Sequence, residues 1–281
     1  MPMKTGKRTG ARRQLPKSRA KTIKVTKTVK VPKLRDDTKA GVLTIVRQML
    51  AKNIENKRMG FNVEANVLHN SGIGPGDCEA LIGQIQPIGS AGGANSSQMR
   101  IGDRIKPKSL TVKGILSFNR ASAMTNVPIY VRVIIASQKD IKNGNAITNS
   151  NQVATSALLH PGILGADEVP FNGNTLEVTY PINKNKFRVY MDKTFMLSSG
   201  DVTLTSYPPD ERPHAQKRWS YTFTEKQLPA ALTFDSVAGN WPNNFAPFVA
   251  IGYAYCDGTG PDTAGQHLYS TVTSTFDFED A

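Results

Sequence analysis

Thirteen basic side chains, with no acidic one among them, stand at the start of this chain. Lys4, Lys7, Arg8, Arg12, Arg13, Lys17, Arg19, Lys21, Lys24, Lys27, Lys30, Lys33 and Arg35 fall within residues 1–35, which contain no Asp or Glu. The 281 residues hold 35 Lys+Arg and 22 Asp+Glu, a formal net charge of +13, so residues 36–281 carry 22 of each sign and are neutral on balance. A dense run of one sign is chemistry for a polyanion. Each cation set against a phosphate displaces a condensed counterion, and the resulting attraction is independent of base sequence. The run has no Trp, Phe or Tyr, so it offers no surface for base stacking, and little sequence preference is expected. Lys7-Arg8 to Arg12-Arg13 also has the density of a nuclear-import signal.

Catalytic chemistry finds fewer footholds. The four histidines, His69, His160, His214 and His267, include no pair at i, i+4 around a Glu. Cys78 and Cys256 are too few for a disulfide scaffold and match no zinc spacing, so both are expected as small, reduced core residues. Gly72-Ile73-Gly74-Pro75-Gly76 is glycine-rich, but Pro75 opposes a helix start, and a turn is expected there rather than a phosphate cradle. No nucleophile elbow occurs. Asn95-Ser96-Ser97 matches a glycosylation sequon and is expected to be idle. The carboxylate neighbours Asp36/Asp37, Asp167/Glu168 and Asp210/Glu211 belong on solvated loops or caps, with a hard cation such as Ca²⁺ held between subunits left open. These patterns predict a non-enzymatic chain with no cofactor and no metal site of its own.

Two further basic groups invite a secondary nucleic-acid reading. Arg100, Arg104, Lys106 and Lys108 cluster ahead of a strand, and Lys217 and Arg218 precede Trp219, much as Lys186 and Arg188 flank Phe187. Cations interleaved with aromatics can hold phosphates while stacking bases. The plainer alternative is a strand end whose aromatic enters the core while its cations face water. Arg100, Arg104, Lys106, Lys217, Arg218 and Trp219 are carried forward as candidates under both readings.

The elements that must position these groups follow from periodicity. Residues 1–35 hold few large apolar side chains, are broken by Pro2, Pro16 and Pro32, and are expected to be disordered in isolation. Over 36–59, Val42, Ile45, Val46, Met49, Leu50 and Ile54 recur at spacings of three and four, which predicts an amphipathic helix with an Asp cap before it and Gly60 after it. From residue 61 the pattern is β. Strands are expected at 61–68, 109–118, 129–137, 176–179, 187–191, 195–197, 219–224, 245–255 and 268–278, with a short strand or turn at 80–85 and one short helix at 154–159. About eight strands without alternating helices indicate an all-β sandwich or barrel, not a doubly wound α/β fold. No apolar run is long enough to span a membrane, and no apolar stretch follows the basic start as in a secretory leader. The expected division is an arm at 1–35, a helical connector at 36–59 and a shell-like domain at 60–281.

Residues 92–116 narrow this reading. Arg100-Ile101-Gly102-Asp103-Arg104-Ile105, followed by Ser109-Leu110 and Gly114, resembles a signature of capsid proteins from circular Rep-encoding single-stranded DNA viruses, the circovirus-like group. Similar stretches occur in capsid proteins of some small RNA plant viruses. Glu55-Asn56-Lys57, the stretch 187–197 and the Arg/Lys-rich start are also similar to that family. The resemblance implies an eight-stranded jelly roll. It also implies a major capsid protein of the virion that self-assembles into an icosahedral shell of about 60 copies. Such a shell packages single-stranded DNA on its cationic arms, with no membrane partner and with assembly in the host nucleus. Arg100 and Arg104 would then pair with carboxylates, face the packaged genome or simply edge a turn. The rivals are a cellular β-sandwich protein with a nucleic-acid-binding tail, such as a chromatin or ribosome-associated factor, a carbohydrate-binding jelly roll, and an RNA-virus capsid protein.

Overall fold

Alternation of buried and exposed side chains organises the body of the protein. The computed structural model describes residues 38–39, 41–45, 55–68, 71–88, 98–118, 127–163, 167–198, 216–236, 239–261 and 268–280. The chain divides into two units, 1–48 and 49–281. In the first, residues 38–39 and 41–45 are helical, where the spacing of Val42 and Ile45 predicts a helix. The second is built of strands β1 (Glu55–Leu68), β2 (Cys78–Ala80), β3 (Arg104–Phe118), β4 (Ile129–Gln138), β5 (Phe187–Leu197), β6 (Gln216–Thr222), the two-residue β7 (Leu232–Thr233), β8 (Phe248–Tyr255) and β9 (Leu268–Asp280).

These strands form two antiparallel sheets. One runs β1-β9-β3-β6, with β7 pairing the start of β3, and the other runs β2-β8-β4-β5. Every connection between the eight longer strands crosses from one sheet to the other except β4 to β5, whose strands are direct neighbours. This is the strand order of an eight-stranded jelly roll, the fold class expected from the sequence.

Two sequence patterns explain the two sheets. In β3 and β9, buried and exposed positions alternate for most of the strand length. Each therefore lays one face on the core and turns the other outward. Leu110, Val112, Leu116, Val272 and Phe276 meet Val131, Val133, Ile135, Ile251 and Tyr253 between the sheets. By contrast, all eight residues of β8 and most of β4 are buried. Their outer face is covered by the long β4–β5 connection, where Ile147, Val153, Leu158, Phe171 and Ile182 form a second core with Ile134, Ala136, Phe248 and Ala250. A strand covered on both sides has no polar face, hence the unbroken apolar runs.

Four local expectations differ from the structure. Residues 55–59 are strand, not the end of a helix. Lys57, Met59, Phe61 and Val63 are buried or half-buried, while Asn56, Arg58, Gly60 and Asn62 are exposed, so the period of two extends further toward the N-terminus than the apolar residues alone show. Residues 176–179, expected as strand, lie largely in a 3₁₀ turn, Thr175–Val178. The buried Glu177 carboxylate fixes it by accepting from the N–H groups of Asn172, Gly173 and Asn174 (2.5, 3.0 and 3.1 Å) and from the Asn174 side chain (2.8 Å). The two strands expected at 187–191 and 195–197 are one, because Asp192, Lys193 and Thr194 are exposed while staying in register with β4. Gly144–Thr148 is a short helix where the sequence pattern predicts no helix or strand, its start capped by Asn143 accepting from the Asn145 N–H (2.8 Å).

Candidate nucleic-acid interface

The thirteen arm cations, Lys4 through Arg35, lie outside the described residues, as do His69, His214, His267, Asp36, Asp37, Asp210, Glu211 and Asn95–Ser97. The body presents the remaining candidates, and it sorts them sharply.

Arg100 is fully buried. Its Nε donates to the Ile85 carbonyl (3.3 Å) and Nη1 to that of Gly102, while Nη2 donates to those of Ser236 (3.1 Å) and Gly239. The guanidinium carbon lies 4.0 Å from the Phe234 ring centre. Its own backbone pairs with Gln86 and Ile88. Burial lowers its pKa from the ordinary arginine value, though a guanidinium stays charged throughout the physiological range. Arg100 is thus an internal clamp joining two connections, β2–β3 and β7–β8, which corrects its candidacy as a nucleic-acid contact. A planar fork of five donors suits four converging carbonyls as no other side chain does.

The neighbours of Arg100 extend the clamp. The Ile101 N–H donates to Asp280 Oδ2 (2.6 Å), which also receives Lys57 Nζ (2.9 Å), and Lys57 reaches the Met99 carbonyl (2.5 Å). Lys57 and Asp280 are both buried. The Asp103 carbonyl accepts from the Phe234 N–H (2.9 Å). The segment that carried the family resemblance therefore ties the beginning of β1 to the end of β9 and to the β7 region. Sequence reading missed the Lys57–Asp280 pair, although Lys57 sits at an inward position of the β1 alternation.

The outward face of the β1-β9-β3-β6 sheet has two halves. On the first, Lys106 (3.1 Å) and Lys108 both pair with Glu279. Arg58 grips Asp277 through two hydrogen bonds (2.5 and 3.1 Å), and Ser109 donates to the same carboxylate (2.8 Å). Hydrogen bonding from Lys108 holds Glu279 below the usual carboxylate range, and Arg58 does the same for Asp277. Lys106 is exposed but already neutralised within the chain. Arg104 is exposed at the head of β3.

The second half contains Arg218. Trp219 points inward and is buried, packed so closely on Gly114 that a Cβ there would lie 2.3 Å from Trp219 Cε2. It is a core side chain that with Gly114 contributes to the lining of the depression described next, and its burial corrects its candidacy as an exposed stacking platform. Lys217 and Arg218 are exposed. Arg218 lies opposite Ile115, and Lys113 opposite Ser220, on adjacent rows of the β3–β6 pair. With Lys193 and Phe195 of β5 and Thr271 and Thr273 of β9, they line an open depression of about 710 Å³ whose lining contains no carboxylate. Lys113, Lys193 and Phe195 were not legible as partners. Lys113 is an outward residue of β3, whereas Lys193 and Phe195 pair with the core-facing Val133 and Val131 of β4, and only the stacking of the sheets brings them to Arg218. The trio at 186–188 behaves differently: Phe187 is buried, Lys186 pairs with Glu168 (2.7 Å), and Arg188 lies over Tyr190.

Among the described residues, no three His, Cys, Asp or Glu side chains converge as a metal site. Glu168 is engaged by Lys186 and Asn183, and His160 Nδ1 meets the Asp167 carbonyl. Cys78 and Cys256 are free thiols, the first buried and the second half-buried. No described helix is long and apolar enough to cross a membrane.

No protein-family model matches this chain, and no curated protein matches it either. Several solved structures show a likeness. A Desmodium yellow mottle tymovirus structure is 7% identical with a TM-score of 0.31, covering 81% of this chain and 87% of that one. The T=3 Penaeus vannamei nodavirus is 8% identical with a TM-score of 0.29, covering 99% of this chain, which in turn spans 64% of the nodavirus chain. An unassembled pentamer of Merkel cell polyomavirus VP1 is 10% identical with a TM-score of 0.16, covering 80% of this chain and 93% of that one. The jelly-roll assignment stands on the strand order itself.

Proposed function

We propose that this chain is the structural subunit of a closed viral shell, its jelly-roll body forming the wall and residues 1–35 neutralising a packaged single-stranded nucleic acid. The observation that carries the reading is the joining of a neutral jelly-roll body to a segment with thirteen cations and no anion. A wall unit must meet many copies of itself without net repulsion, and a closed point-group assembly lets one chain do so through a few repeated contacts. A genome-binding arm needs the opposite, a concentrated charge that ignores base sequence. The Arg100–Gly114 resemblance favours DNA as the packaged strand, about 60 copies as the shell, and the host nucleus as the place of assembly. The body's chemistry supports a structural role: its buried charges are spent on internal clamps.

Electron microscopy of purified protein supplied with nucleic acid is expected to show uniform closed shells, and the extracted nucleic acid to be degraded by deoxyribonuclease and not by ribonuclease. Persistent monomers at high concentration would overturn the shell reading. Cargo sensitive only to ribonuclease would replace the DNA assignment and leave the shell intact. Deleting residues 1–35 is expected to abolish packaging.

A further inference from the structure

The outward face of the β1-β9-β3-β6 sheet carries cations along the length of β3, and among the described residues only those near its start are neutralised. Near the β1 side, Arg58 faces Asp277, and Lys106 and Lys108 face Glu279. Around the depression at the β6 side, Lys113, Lys193 and Arg218 stand exposed, and none of the three has an ion-pair partner among the described residues. The rest of the lining is Ser220, Thr271 and Thr273, which carry hydroxyls, the exposed Ile115, the half-buried Phe195, and the buried Trp219 with Gly114.

We propose that this depression is a second nucleic-acid contact, built into the folded wall, that holds a short stretch of single strand. The inference deepens the capsid reading and rests on its nucleic-acid partner. Lys113 and Arg218 are diagonal neighbours across β3 and β6, which places their Cα atoms roughly 7–8 Å apart. That separation is of the order of the step between successive phosphates of an extended strand. Hydroxyls between the cations can donate to phosphate oxygens, while Phe195 and Ile115 offer apolar surface to bases turned toward the wall. A single carboxylate side chain is satisfied by one cation. Three cations around an open trough of about 710 Å³ match a ligand with several anionic groups in series.

The site makes a quantitative demand on binding. If each of the three cations neutralises one phosphate, they contribute about 2 to the negative slope of log affinity against log salt, at about 0.7 per phosphate on a single strand. The test uses the full chain. A fluorescent poly-dT oligonucleotide is titrated across a salt series with the parent protein and with the K113Q/K193Q/R218Q variant, and photo-crosslinked peptides of the parent are mapped. The slope is expected to become shallower by about 2, and crosslinks are expected on the peptide bearing Phe195 as well as on the arm. All three substituted side chains are exposed, so an unchanged thermal midpoint is the folding control. An unchanged slope, or crosslinks confined to residues 1–35, overturns the proposal. So does a variant that binds normally but no longer associates with itself, because the trough would then be a contact between copies. Shell formation, scored by electron microscopy on the same samples, tests the capsid reading separately.

Discussion

Replacing Arg100 by Ala separates an internal clamp from a nucleic-acid contact. Truncation leaves the carbonyls of Ile85, Gly102, Ser236 and Gly239 without the donors they share in the folded protein. At about 1 kcal/mol for each deprived acceptor, the low end of the usual range, the loss is about 4 kcal/mol. The contact with the Phe234 face adds about 1 kcal/mol. Relief of the buried charge and entry of water into the vacated space offset part of this, leaving a net destabilisation of about 3 kcal/mol. With a urea dependence near the upper end for a domain of this size, about 3 kcal/mol per molar, the unfolding midpoint should fall by about 1 M. The assay is urea denaturation of unassembled protein, followed by tryptophan fluorescence, beside oligonucleotide binding under native conditions. Arg100→Lys sharpens the comparison. A lysine keeps the charge a phosphate would need but cannot reach four carbonyls at once, so it should remain clearly destabilised while binding as tightly as the parent. A midpoint within about 0.3 M of the parent for R100A, combined with weakened binding, would refute the clamp.

Other perturbations probe other parts of the molecule. Gly114→Ala drives a Cβ into Trp219 and should cost about 1–3 kcal/mol by overpacking, seen as a lower thermal midpoint and partly recovered when combined with Trp219→Leu. Glu177→Ala removes the acceptor for four donors. A loss of about 3 kcal/mol and new proteolytic cuts within residues 139–186 are expected, and unchanged cleavage would contradict the role of Glu177 in fixing the turn. Asp277 and Glu279 have folded-state pKa values below their ordinary ones because of Arg58 and Lys108 respectively. Their contribution is therefore fully present above the unfolded carboxylate range and is lost as pH falls through and below about 4. Acid unfolding between pH 5 and 2 should be less steep in Asp277→Asn, and an identical acid limb would argue against the pair.

Local chemistry determined a great deal about this protein without any structure. The division into a cationic arm and a neutral body is a matter of counting residues. The all-β class is legible because a strand with one buried face alternates, as in β9, and a strand buried on both faces reads as an unbroken apolar run, as in β8. Both signals act between near neighbours in the chain. Where polar side chains entered the pattern, local reading failed. Lys57 belongs to an inward position of β1 but has the charge of a helix end, and Glu177 bends an apolar stretch into a 3₁₀ turn by collecting backbone donors.

Only the tertiary structure decided what the basic residues of the body do. Arg100 and Arg218 look alike in sequence, each a cation beside the start of a strand. The jelly-roll order buries the first under carbonyls contributed from residues 85, 102, 236 and 239 and leaves the second on an open face with Lys113 and Lys193. A side chain's charge is set by its own atoms. Its solvation, and therefore whether that charge is satisfied internally or offered to a partner, is set by which distant strands the sheets lay beside it.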